Sequence, residues 1–231
     1  MQALLLPGTL LAPASLAPIG DALLASIGLP YRTAALGIAD SFDAELQRLA
    51  ATLIGPTLLI GHSLGGIVAL HLALRCPQHV RAVVTLASTA RADTTSGRAR
   101  RMRQRELVRH AGLPALVQQE LLPLYAADRE RAPQIAWPQW LQAQAAGFDE
   151  ATLLRQLRYA DERGSMLHCA LGIPVLALAG QLDLICPTAL SQEIATLGAP
   201  GRCEVLPGVG HLFPIYRATD VAERIAALSM G

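Results

Sequence analysis

Three segments of the 231-residue chain carry residue types that can act together on a carbonyl group. The first is Gly61-His62-Ser63-Leu64-Gly65-Gly66, where an apolar run from Thr57 to Ile60 gives way to a segment of helical period. A serine between strand and helix, with glycine two residues before and two after it, is the pattern of a nucleophile elbow. The turn crowds those flanking positions, and only residues without a Cβ let the strand and helix approach so closely. Leu64, opening the helix, can aim its N–H at a developing oxyanion, helped by the positive helix end. The other two segments are Gly180-Gln181-Leu182-Asp183 and Gly208-Val209-Gly210-His211, each directly after an apolar run. Hydroxyl, carboxylate and imidazole in this order are the parts of an acyl-transfer site: Ser63 attacks, His211 carries the proton and Asp183 orients the imidazole. A G-x-S-x-G pentapeptide alone arises by chance in about one such chain in twelve. The weight therefore rests on three motifs coinciding in order.

Those residues need a scaffold that brings them to one edge. Short apolar runs ending near glycine alternate with helical segments, the pattern of a parallel sheet covered by helices on both faces. Strands are expected at Ala3 to Leu6, Tyr31 to Leu36, Thr57 to Ile60, Ala82 to Ala87, Pro174 to Ala179 and Arg202 to Leu206. Helices are expected near Pro18 to Ser26, Ser41 to Leu53, Leu64 to Arg75, Thr188 to Leu197 and Ala218 to Leu228, with Ser41 capping the second. Between Arg91 and Gly164 the strand pattern stops, and the chain becomes arginine-rich and helical with breaks at Gly112-Leu113-Pro114, Pro123, Pro133 and Pro138. A gap of about 70 residues is too long for a plain connection. The expected organisation is a core of residues 1–90 and 165–231 with a helical lid, residues 91–164, inserted before the penultimate strand. Pro7-Gly8-Thr9-Leu10 follows the first strand, and the Thr9 N–H is a candidate second oxyanion donor.

Composition narrows the chemistry. Apolar residues make up 52% and charged residues 16%, which excludes disorder and favours one large core. All 19 basic residues are arginine, so Schiff-base and lysine general-base mechanisms are excluded. A net charge of +1 gives no global reason to bind nucleic acid or a membrane surface. Cys76, Cys169, Cys186 and Cys203 form no CxxC pair, and His62, His71, His79, His110 and His168 are not spaced as metal ligands, so no metal or other cofactor is expected. The N-terminal MQALLLPGTLLAP lacks a basic start and is interrupted at Pro7-Gly8, so it reads as a strand and not as a signal peptide. With no apolar run near the ~20 residues that span a bilayer, a cytoplasmic protein without membrane insertion is expected.

With LLLPGTL, LIGHSLGG, VVTLASTARAD, IPVLALAGQLDLICP and LPGVGHLFP in place, the sequence resembles the α/β-hydrolase superfamily over nearly its whole length. The resemblance implies an α/β-hydrolase fold, with a mostly parallel sheet of about six strands, Ser63 as nucleophile, His211 as general base and then acid, and Asp183 as its carboxylate partner. It also implies two departures. The chain starts at what looks like the family's third strand, so the usual N-terminal hairpin is missing. Pro7 stands where many members have a histidine that supports the oxyanion loop, which leaves open whether Thr9 or Leu10 gives the second donor.

Residues 91 to 163 hold twelve arginines against nine acids. Within the family the chain is similar to small carboxylesterases and to pimeloyl-carrier-protein methyl ester esterases, which present lid arginines to their carrier. On that likeness Arg98, Arg101, Arg103 and Arg105 are candidates for docking an acidic partner such as an acyl carrier protein. Leu124, Tyr125, Trp137 and Trp140 of the lid, with Leu10 and His62, are candidates for the substrate pocket, the alternative for the lid residues being that they pack the lid onto the core. The expected substrate is a small acyl ester or thioester. A lyase or ligand-binding receptor on the same scaffold is the alternative.

Overall fold

The protein is described by a computed structural model covering residues 1–229. Six strands form one sheet: β1 (Gln2–Leu6), β2 (Tyr31–Thr33), β3 (Thr57–His62), β4 (Val80–Leu86), β5 (Val175–Gly180) and β6 (Gly201–Leu206). Their order is β2-β1-β3-β4-β5-β6, and every pairing is parallel. An all-parallel sheet needs helices on both faces, which is why β3 and β5 are buried along their whole length, with polar side chains only at Thr57 and His62, the two ends of β3. Alternate residues serve opposite layers, as the strand period of two requires. Leu4 and Leu6 face one apolar cluster with α2 (Phe42–Ala50) and α3 (Leu64–Arg75). Ala3 and Leu5 face the other, with α1 (Ala17–Ile27) and the helix Ala218–Ser229. The apolar N-terminal segment is thus a central strand, paired on both sides.

β2 is shorter than expected. After Thr33 one further ladder bond forms, from Ala34 N–H to Leu5 O at 3.1 Å, and the chain then turns at Gly37 with φ of 92°. β4 ends at Leu86, because Ala87 adopts a φ of 52° that no strand accommodates. Ser41 caps α2 as expected, its Oγ accepting the Ala44 N–H at 3.2 Å.

The stretch between β4 and β5 contains no strand. It consists of α4 (Thr95–Leu116), α5 (Ala126–Arg131), α6 (Trp137–Ala146) and α7 (Glu150–Glu162), with one π turn and one 3-10 turn over 117–125. α4 breaks at Gly112, whose φ of 77° and ψ of 176° restart the helix two residues before Pro114. Leu10 and Leu11 after β1, and Leu212 after β6, pack into the apolar clusters of these helices. The helical segment therefore sits over the C-terminal edge of the sheet, where loops of a parallel sheet form sites. Among the described residues no helix is long and apolar enough to cross a membrane.

Candidate active site

β3 delivers Ser63 into a turn with φ of 51° and ψ of −113°, backbone space that a residue with a Cβ enters only under strain. Four hydrogen bonds hold it there. The Ser63 N–H donates to Leu86 O at 2.9 Å, and its carbonyl accepts from Gly66 N–H at 3.0 Å, Ile67 N–H at 3.2 Å and Ser88 Oγ–H at 2.8 Å. The flanking glycines are sterically required: a Cβ on Gly61 would run into the Gly65 carbonyl, and one on Gly65 into the Leu6 carbonyl.

β5 ends one turn before Asp183, which is buried. Its Oδ1 accepts the Ile185 and Cys186 N–H groups at 2.7 and 2.9 Å, and its Oδ2 accepts His211 Nδ1–H at 2.8 Å. Burial pushes the Asp183 carboxyl up, but the adjacent His211 and the two amides outweigh it and hold the group below its ordinary range. His211 is buried between two rings, with Tyr125 stacked at 6.1 Å and His62 at 5.0 Å between centroids. His62 Nε2–H donates to the His211 carbonyl at 3.0 Å. Burial, with His211 beside it, pushes His62 down to about 3, so it is a neutral packing group. Asp93, which follows β4, lies against Arg98, Arg101 and Arg163 and not against His211.

Ser63, His211, Thr9 and Leu64 line one cavity of about 330 Å³ between the sheet edge and the helical segment. No hydrogen bond joins Ser63 Oγ to His211 among the described residues, a looseness usual in a site without substrate. The Thr9 and Leu64 N–H groups have no protein acceptor among those residues. Leu10 N–H, in contrast, donates to Gln156 Oε1 at 3.0 Å. That separates the two candidates: Leu10 is engaged and Thr9 is free. Asp183, Cys186 and His211 place donor atoms within 4.8 Å of one another. The acid and imidazole are already bonded to each other, and burial raises the Cys186 thiol well above its ordinary value, so the trio reads as an acid–imidazole pair beside a protonated thiol.

The other expectations divide. Leu10, His62 and Tyr125 line the cavity, whereas Leu124, Trp137 and Trp140 do not. They pack within the helical segment: Trp137 is 2% exposed, donates Nε1–H to Ala132 O at 3.0 Å and meets Trp140 and Tyr216 edge to face. Aromatic groups of this size join whichever apolar layer is nearest, here the one between α5, α6 and Tyr216. Arg98 and Arg103 are exposed, but Arg101 and Arg105 turn inward and bind Asp161, with Arg101 also on Asp93. A solvent-facing set of four guanidinium groups is therefore not what α4 presents. Two residues went unnoticed in the sequence. Gln156 and Gln104 interrupt the apolar stripes of α7 and α4 and are buried there. A polar side chain on a buried helical stripe is the signal that marks them.

A parallel six-stranded sheet with an elbow serine, and an acid and a histidine after its last two strands, defines an α/β hydrolase. The chain belongs to the alpha/beta hydrolase family, whose sequence model matches residues 5–224. It is 32% identical over 182 residues, 77% of its length, to the "Putative carbamate hydrolase RutD" of Yersinia enterocolitica, and 33% over 173 residues to that of Escherichia coli K12. The match spans 64% of each of those two proteins. A thermophilic esterase from Thermogutta terrifontis superposes with a TM-score of 0.81 at 23% identity, over 98% of this chain and 88% of the esterase. The enol-lactonase from Burkholderia xenovorans LB400 gives 0.83 at 20% identity, over 100% and 91%. The two structures share the fold, and the RutD relatives support a hydrolase.

Proposed function

We propose that the protein hydrolyses a carboxylic ester or acyl thioester through an acyl-enzyme on Ser63. Ser63 Oγ attacks the carbonyl carbon as His211 Nε2 takes its proton, and the C=O electron pair moves onto an oxygen held by the Thr9 and Leu64 N–H groups. Collapse expels the alkoxide or thiolate, which takes the proton back from His211. Water then repeats the sequence and releases the acid. The observation that carries this reading is the buried 2.8 Å Asp183–His211 hydrogen bond in one cavity with a serine on a strained elbow. The helical segment over that cavity serves as the lid. An acyl group on an acidic carrier falls within the same reading, with the exposed Arg103, and Arg98 beside Asp93 at 3.7 Å, as the guanidinium groups that face solvent to meet the carrier.

A second reading, a carbamate as substrate, is favoured by the RutD relatives. Its carbonyl is attacked by the same groups but is less electrophilic. Treating wild type and Ser63→Ala with a fluorophosphonate probe, and then with p-nitrophenyl esters and p-nitrophenyl N-methylcarbamate, tests both. Labelling and turnover in wild type alone are expected. A wild type that neither labels nor cleaves any of them would leave a lyase or ligand-binding role on this scaffold.

A further inference from the structure

α4 turns Gly97, Arg100, Arg101 and Gln104 toward the cavity at spacings of three, four and seven residues, one face of a helix. Two of these side chains are not satisfied within the protein. Gln104 is 6% exposed and makes no hydrogen bond among the described residues, so its carboxamide opens unpaired onto the cavity. Arg100 has Glu120 as its nearest acid, at 3.9 Å, beyond hydrogen-bond distance. Behind them Arg101 and Arg163 face the same space while held by Asp93, and Arg91 is tied to Glu193 at 2.5 Å. Four arginines and one acid, Asp93, thus line the cavity, with Glu193 and Asp161 neutralising Arg91 and Arg101 from behind, which leaves Arg100 the most loosely paired. Burial lifts the Cys186 thiol while Arg163 and Arg100 pull against it, which sets both guanidinium groups within electrostatic reach of the loop that carries Asp183.

We infer that Arg100 and Gln104 form an anion-accepting subsite in the cavity beside Ser63, and that the substrate carries an ionised carboxylate in addition to its scissile carbonyl. A guanidinium fork and a carboxamide N–H offer three donors to one carboxylate, the geometry that arginine satisfies best. A neutral polar group would pair Gln104 but leave Arg100 without a hydrogen-bonded anion. The inference deepens the hydrolase reading above and, for turnover, rests on it.

The test compares kcat/KM on mono-p-nitrophenyl glutarate with that on p-nitrophenyl valerate, which lacks the carboxylate, in wild type, Arg100→Met and Gln104→Leu. Wild type is expected to favour the glutarate monoester at least tenfold. Arg100→Met should cut that ratio by about tenfold, mainly through KM, and Gln104→Leu by a smaller factor. No preference in wild type, or equal loss on both esters in Arg100→Met, overturns the subsite. Glutarate itself gives a readout without turnover: at millimolar concentration it should raise the Tm of Ser63→Ala but not of Ser63→Ala/Arg100→Met. Should wild type cleave neither ester while glutarate still gives that difference, the subsite stands and the hydrolase reading falls. Should it cleave both equally with no Tm difference, the reverse holds.

Discussion

Gln156 Oε1 accepts the Leu10 N–H at 3.0 Å, joining α7 to the loop after β1 across 146 residues, while Gln156 Nε2–H donates to Leu36 O at 2.9 Å. Both bonds are buried, and the carboxamide accepts through its oxygen and donates through its nitrogen at once. The loop it grips is a four-residue turn closed by Leu11 N–H on Gly8 O at 3.2 Å, with Leu10 inside it at a φ of 56°. That position favours glycine. Flipping the middle peptide would relieve Leu10 but swing the Thr9 carbonyl onto Gln156 Oε1. A second glutamine, Gln144 of α6, accepts the Ala12 N–H at 3.0 Å. The helical segment thus supplies the support for this loop in a chain with Pro7 where a histidine is common.

Replacing Gln156 by methionine strands the Leu10 N–H and the Leu36 carbonyl, at a cost on the order of 1–3 kcal/mol for each buried group. Because the Thr9 donor acts on the transition state, kcat on a p-nitrophenyl ester should fall roughly 10- to 100-fold with a smaller change in KM. Steady-state kinetics on the folded variant decide. Unchanged kcat would show that the turn holds itself.

Asp183→Asn keeps the shape of the acid but not its charge, and removes the acceptor that sets the His211 tautomer. A loss of about 10⁴ in kcat is expected, in line with such substitutions in serine triads. The rate of fluorophosphonate labelling should fall in parallel. Labelling at the wild-type rate would transfer the role to another acid.

Gly65→Ala drives a methyl group into the Leu6 carbonyl on the central strand, where neither backbone can yield. Destabilisation of at least about 3 kcal/mol is expected, measured as a fall in the urea midpoint or as loss of soluble protein. A Tm within two or three degrees of wild type would mean that the elbow has slack.

Burial pushes the Asp161 carboxyl up, but hydrogen bonds from Arg101 and Arg105 outweigh it and hold the group below its ordinary 3.8. A depressed carboxyl stabilises the fold at pH above its unfolded value, and that contribution disappears as pH falls through the folded one. Asp161→Asn should therefore lower Tm at pH 7 by roughly 2–4 °C, equivalent to about 1 kcal/mol, with the gap to wild type closing as pH falls below the ordinary carboxylate range. A gap independent of pH would assign the loss to packing.

Trp137→Ala removes a buried side chain that lies outside the cavity lining. A stability loss of about 3–5 kcal/mol is expected, with no change in the rank order of acyl chain lengths for the folded protein. A shifted chain-length optimum would return Trp137 to the pocket.

What the chain determines by itself is local. Strand and helix periods, the glycines around Ser63, the cap at Ser41 and the break at Gly112 are each set by a few neighbouring residues, and the order Ser63, Asp183, His211 after three strands follows from them. The parallel sheet then carries all three to one edge. Tertiary structure decided whatever depends on which surface a helix meets. Arg101 and Arg105 look like solvated arginines until Asp161, 56 to 60 residues away, faces them. Trp137 looks like pocket material until Tyr216 closes over it. Thr9 and Leu10 are indistinguishable as donors until Gln156 takes one of them. Periodicity tells which residues share a side of an element. It cannot tell what lies opposite, because that partner is fixed by packing across 56 to 146 residues of chain, and so the wall of the cavity was legible only in the fold.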